Sequence, residues 1–158
     1  MRSSGGRLFL SSRCIRVATL TLAAMCTPAF IGIASADDGE YVRTQSGRVR
    51  CLVYANDVFH GGGPLVACEH TPGFPQAPTN ASGHHWNLAV VRASGAFNWD
   101  TGNIGGASGT ISRDIVLEYG KTYHVNGWII NPDSHGTKFT HSTTGHGMFV
   151  SVENVKPF

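Results

Sequence analysis

What most constrains this chain is a period. From Tyr41 onward its apolar residues recur at every second position in short runs, and no window spaces them i, i+3, i+4, i+7 over three turns. Period two belongs to a strand, whose successive side chains point to opposite faces, whereas a helix needs 3.6. The runs are bounded by turn formers: residues 37–158 hold seventeen glycines and six prolines, too many breaks for long helices. The expected fold class is all-β, an antiparallel sandwich or small barrel of six to nine short strands.

The runs can be placed. Tyr41–Thr44 is extended, and Gln45-Ser46-Gly47 is a turn. Arg48–Tyr54 opens in strict alternation and Leu65–Glu69 follows as a second strand, joined through Asn56-Asp57 and three glycines. His70–Gly83 carries Pro72, Pro75 and Pro78, which excludes a central strand; an ordered arm pinned by Phe74 is expected. Trp86–Arg92 and Ala96–Asp100 flank Ser94-Gly95, a hairpin signal. Thr101–Thr110 is a Gly-rich loop. Ile111–Tyr119 and Thr122–Ile130 flank Gly120-Lys121 as a second tight hairpin, and Thr137–His141 and Met148–Val155 complete the set.

Before these strands stands a different kind of segment. Arg2, Arg7, Arg13 and Arg16 give a basic start, Val17–Ile33 is almost wholly apolar, and Ala34-Ser35-Ala36 ends it with small residues. That order is a secretory signal peptide, with cleavage expected after Ala36. The expected organisation is a signal at 1–36 and a single secreted β domain at 37–158, extracellular or in the cell envelope. Pro28 and Gly32 interrupt the apolar run, so no stable membrane anchor is expected after cleavage.

Export governs how the charges and cysteines are read. Removing the four arginines leaves eight basic against ten acidic residues, with no basic stripe to track phosphates, so nucleic acid is excluded as a partner. Of four cysteines two leave with the signal, and Cys51 and Cys68 remain as an even pair in an oxidising compartment. A disulfide between the two strands is expected.

No motif names a reaction. There is no G-x-S-x-G elbow. Ser134-His135-Gly136 has Thr137 where a nucleophilic cysteine would be needed, and Gly61-Gly62-Gly63-Pro64 lacks the Lys-Ser/Thr of a phosphate loop. All eight histidines lie beyond the signal, and His84-His85 with His141 and His146 could ligate a metal. Their spacing fits no ligand pattern, so neither metal, cofactor nor catalytic residue is assigned. The candidate binding residues are His84, His85 and Trp86 on the arm, with His135 and His146 in later loops. In Gly145-His146-Gly147 the two glycines let the backbone approach something closely, and His146 is expected to bond a backbone carbonyl in a turn entering the last strand.

Four short motifs resemble one another's counterparts in a known group. Ser46-Gly47-Arg48-Val49-Arg50-Cys51 with Val66-Ala67-Cys68-Glu69, then Leu117-Glu118-Tyr119-Gly120, then Gly145-His146-Gly147-Met148-Phe149-Val150-Ser151, stand in this order. They resemble the "SPSGNI-x-C … V-x-C", "L-x-Y-G" and "G-H-G-F-x-V-S" segments of small exported actinobacterial (mycobacterial-type) proteins. The resemblance implies an exported β domain and names no activity. That group tends to carry a second cysteine pair, and the alignment puts Ile130 and Phe139 in its place, an apolar cross-strand pair instead of a bridge. The expected role is non-enzymatic binding of an envelope component, such as a glycan, or of an exported protein. An inhibitor or effector acting on a muralytic or host protein is the alternative, and a His-based metal hydrolase the third.

Overall fold

A computed structural model describes residues 39–105 and 113–158. The expected signal, 1–36, lies outside the described residues, as does the stretch 106–112 in the Gly-rich loop and at the start of the strand expected from Ile111.

Two sheets build the fold. The first contains β1 (Glu40–Thr44), β2 (Arg50–Tyr54), β3 (Leu65–Glu69), β4 (Leu88–Arg92), β5 (Phe97–Asp100) and β6 (Ile115–Leu117), in the order β5-β4-β3-β2-β1-β6. The second is a meander of β7 (Tyr123–Val125), β8 (Trp128–Pro132), β9 (Thr137–His141), β10 (Gly147–Val150) and β11 (Val155–Pro157). Among the described residues every pairing is antiparallel except β1 with β6, where Val42 lies beside Ile115. The all-β expectation holds, as a sandwich. Eleven strands among the described residues exceed the expected six to nine, because three-residue strands carry too little pattern to be counted from sequence.

Alternation fills the space between the sheets. Val42, Cys51, Cys68 and Ala89 stand in one cross-strand row of the first sheet, and Val53, Val66 and Val91 in the next. Against them pack Val125, Trp128, Ile130, Phe139, Met148 and Val150 of the second sheet. Trp128, Ile130 and Phe139 are 0% exposed, and burying a side chain of this size contributes roughly 1.5–3 kcal/mol. The indole N–H of Trp128 donates to the Tyr54 carbonyl (3.4 Å), so the ring's one polar atom is satisfied inside.

The disulfide joins Cys51 and Cys68, which face each other directly across β2 and β3 with Cα atoms 4.0 Å apart. In the second sheet Ile130 and Phe139 oppose each other in the same way, both fully buried. The apolar cross-strand pair expected there is present. Replacing both by cysteine is therefore expected to form a second bridge under mild oxidation, read as the loss of two hydrogens by mass spectrometry. Two free thiols would show that the pair's side chains cannot converge.

One connection differs from the reading of the sequence. Gly120-Lys121 makes its turn, with the Lys121 N–H bonded to the Glu118 carbonyl (3.2 Å), but it joins no hairpin. It carries the chain from β6 in one sheet to β7 in the other. Tyr123 secures the crossing: its hydroxyl donates to the Val116 carbonyl (3.1 Å) and accepts the Glu118 N–H (3.0 Å). The hairpin is β7–β8, turned by Asn126 (φ 49°) and Gly127 (φ 82°). Two left-handed residues in succession make the turn that matches strand twist, and Asn-Gly is its strongest signature. The strand expected over Met148–Val155 also divides, where Ser151 N–H bonds the Asn154 carbonyl (2.8 Å) between β10 and β11.

Candidate functional site

The outer face of the six-stranded sheet is not the polar surface an antiparallel sheet usually turns to water. Tyr41, Leu52, Ala67 and Val90 oppose one another across β1 to β4, with Tyr54 and Leu65 in the neighbouring row. Leu52, Leu88 and Ile104 form a second apolar cluster here, joined by Tyr41, Tyr54, Ala67 and Val90. The sequence carries the signal. Leu65-Val66-Ala67-Cys68 and Leu88-Ala89-Val90-Val91 are continuous apolar runs, which mark strands covered on both faces.

Two loops border this face and leave a hollow of about 330 Å³ between them. The first follows β5. Ile104 tucks onto the sheet, and its carbonyl accepts the Tyr41 hydroxyl (3.0 Å). Asn87 holds Gly102 with two bonds, amide to carbonyl (2.7 Å) and carbonyl to N–H (3.1 Å). Arg50 anchors the loop's end, donating to the Gly105 carbonyl (2.6 Å) while forking onto buried Asp114 at 2.7 and 3.0 Å. The hydrogen bond with Asp114 raises the guanidinium above its ordinary pKa in spite of partial burial. Its Cζ lies 4.2 Å over the Tyr41 ring, a cation–π contact.

The second loop, residues 55–63, is braced from within. Asp57 is 1% exposed and holds His60 Nδ1 at 3.0 Å from both carboxylate oxygens. The Asp57 N–H bonds the Gly63 carbonyl (2.9 Å) and Gly62 N–H returns to Asp57 (2.7 Å). Arg92 donates to the carbonyls of Gly62 (3.1 Å) and His60. Asp57, His60 and Arg92 thus form one polar end of the hollow, Asn98 and Asp100 another, over a floor of Leu52, Leu65, Ala67, Leu88 and Val90. The tip of this loop holds Val58 and Phe59 in the open, 48% and 73% exposed. An apolar floor with a few fixed polar groups at its margins is the usual make-up of a small-molecule site.

The sequence-selected residues lie elsewhere, in three places. His84, His85 and Trp86 sit on the arm, which is ordered as expected: Phe74 is fully buried, 5.5 Å from the rings of His70 and Trp99. His84 is exposed, with its backbone tied to Asn80. His85 Nδ1–H donates to the Ala77 carbonyl (2.7 Å). Trp86 is half-buried, its side chain packed against the core, and its backbone N–H donates to the Pro78 carbonyl (2.8 Å) while its carbonyl takes the Phe74 N–H (3.0 Å).

His135 lies in the β8–β9 turn, where the backbone N–H groups of His135 (2.6 Å) and Gly136 (3.1 Å) point at Asp133. The His135 N–H first, then that of Gly136, hold the Asp133 carboxyl below its usual range. His146 lies in the β9–β10 turn, with Nδ1 3.4 Å from the Phe158 carbonyl, the backbone bond expected for it. Five-residue β9, at roughly 3.3 Å per residue, separates His135 from His146. Among the described residues no three His, Cys, Asp or Glu are grouped to hold a metal ion.

Comparison with protein-family models, curated proteins and solved structures finds no match to this chain.

Proposed function

We propose that this chain is an exported, non-enzymatic binding domain, and that the hollow on its outer face takes the aliphatic part of a cell-envelope component. The observation that carries the reading is the hollow's aliphatic floor, at a volume of about 330 Å³, at the lower bound of small-molecule sites, roughly 300–1,000 Å³. Export is supported by the basic, apolar, small order of residues 1–36, and by the disulfide, a bond that persists in oxidising compartments. The polar groups at the hollow's end are occupied in bracing a loop, Asp57 with His60 and Arg92 with two carbonyls, which suits a rigid binding wall. Kinship with the small exported actinobacterial proteins is part of the same proposal and rests on the four motifs.

The test is a titration of the purified protein with a short-chain monoacylglycerol, held below its micelle concentration, followed by amide NMR shifts. Shifts confined to β2, β3, β4 and residues 101–105 are expected. Ala67→Phe, which fills the floor from the solvent side, is expected to weaken binding by ~tenfold or more, about 1.4 kcal/mol, without loss of the fold. Unchanged affinity in Ala67→Phe would remove the hollow from consideration. A second reading, an exported protein as partner, is favoured by Phe59 at 73% exposure on the loop beside the hollow. Phe59→Ala separates the two, because it leaves the floor intact.

A further inference from the structure

Beyond the hollow, we propose that two copies of this chain pair edge to edge through β5, so that the first sheet of one continues into that of the other. A strand at the end of a sheet presents unpaired N–H and C=O groups, and native proteins block such edges. Among the described residues the two sheets end at β5, β6, β7 and β11. Three of these are closed. Beside β6 the Tyr123 hydroxyl takes up both the Val116 carbonyl and the Glu118 N–H. Along β11 the Gln76 side chain accepts the Val155 N–H (2.6 Å), and Pro157 has no N–H to offer. β7 is three residues long, and its tight Asn126-Gly127 turn makes Tyr123 and Val125 the residues that bond β8, so only His124 turns outward.

β5 is open. The Arg92 N–H bonds the Ala96 carbonyl (2.9 Å), and counting on from that pair the alternate residues Asn98 and Asp100 bond β4. The N–H and C=O groups of Phe97 and Trp99 therefore point away from the sheet. Their N–H groups and the Phe97 carbonyl have no partner, and the Trp99 carbonyl takes only a long bond from the neighbouring Asn98 side chain (3.4 Å).

This edge complements itself in one register. Phe97 set opposite the partner's Trp99, and Trp99 opposite the partner's Phe97, pairs every outward group on both strands. Phe97 opposite the partner's Phe97 would bring Trp99 to Gly95, whose N–H is taken by the Arg92 carbonyl (2.9 Å). Trp99 opposite the partner's Trp99 would bring Phe97 to Thr101, whose N–H is taken by the Asp100 side chain (2.7 Å). The side chains agree with the chosen register. Phe97 and Trp99 stand on the core side, across from Val91 and Ala89, so each ring meets an aromatic partner, a favoured cross-strand pair. On the outer side Asn98 faces the partner's Asn98 at the two-fold axis and Asp100 faces the partner's Ala96, so no like charges meet. That axis stands perpendicular to the sheet, so the hollows of both copies, each bordered by Asn98 and Asp100, open on one face beside the seam. A four-residue edge is a small contact beside the roughly 1,600 Å² of a stable interface, so the pairing depends on concentration.

The experiment follows the purified protein by sedimentation and amide hydrogen exchange from micromolar to millimolar concentration, with no ligand added. The mass is expected to rise to that of two chains. The amides of Phe97 and Trp99 are expected to exchange ~tenfold or more slowly at the highest concentration, while those of Asn98 and Asp100, bonded to β4 in either state, stay unchanged. Asn98→Cys is expected to cross-link two copies under mild oxidation, because facing residues of this kind of pair have Cα atoms about 4.5 Å apart. Asp100→Cys is the control: its two copies lie about 13 Å apart along the seam, at roughly 3.3 Å per residue, and do not bridge. Asn98→Lys sets two ammonium groups face to face and is expected to weaken pairing ~tenfold or more. A single chain at every concentration would overturn the proposal and leave the edge to a strand of another protein. A dimer without protection at Phe97 and Trp99, equal cross-linking of Asp100→Cys, or wild-type pairing in Asn98→Lys would overturn it as well. Because no ligand is present, failure here and failure of the hollow are read separately.

Discussion

Gly147→Ala is expected to cost more than about 3 kcal/mol, the largest loss from a single methyl added at any glycine among the described residues. Gly147 begins β10, and a Cβ built on it falls far inside contact distance of the Phe139 carbonyl oxygen, 2.9 Å from that carbonyl's carbon and 3.1 Å from the Phe158 ring. The obstacle is backbone on the neighbouring strand, which cannot turn aside as a side chain would. Relieving it requires β9 and β10 to part, and with them the paired bonds between Gly147 and Phe158 (3.0 Å each). Gly145→Ala is the control. Gly145 has φ +76° with open space around it, so it carries only the conformational cost of a left-handed alanine, roughly 1–2 kcal/mol. Urea denaturation of both variants checks the contrast, and equal losses would remove the steric argument.

Replacing Cys51 and Cys68 together by alanine is expected to cost about 3 kcal/mol, within a range of roughly 2–5 for a native bridge in a small domain. The bridge closes a loop of sequence separation 17, and its main effect in the chain-entropy model is to restrict the unfolded chain. Both sulfurs are also buried, at 1% and 0% exposure, so the variant loses packing between the sheets as well. Guanidinium denaturation of the variant, beside wild-type protein with and without reductant, checks the figure. Identical midpoints for oxidised and reduced wild type would show that the bridge contributes nothing.

The strands that alternate were legible from sequence because alternation is local, and the cysteine pair because export leaves only Cys51 and Cys68 to bond each other. Thr137–His141 and Leu65–Glu69 have the predicted bounds. The crossing at Gly120-Lys121 was not legible. A tight turn looks alike whether its flanking strands pair with each other or diverge, and the choice is made by β1, far away in sequence. The expectation that His146 would bond a carbonyl between two glycines followed from backbone space alone, and the bond is there. The candidate residues were chosen for their chemistry, and histidine stands out by composition. The hollow is built from leucine, valine and alanine, which stand out only when an uninterrupted apolar run is recognised as two faces.

The lone parallel pairing has a consequence for how the molecule assembles. Ten of the eleven strands join neighbours in chain order, through short returns or the 55–63 and 70–87 connections. Such pairings cost little loop-closure entropy and form early. Only β6 must find β1 after the whole first sheet has been laid down between them. Val42 meeting Ile115 is therefore the one pairing of long sequence separation: each half of the ribbon can zip up locally, and the edge strand β6 docks on β1 across the whole first sheet.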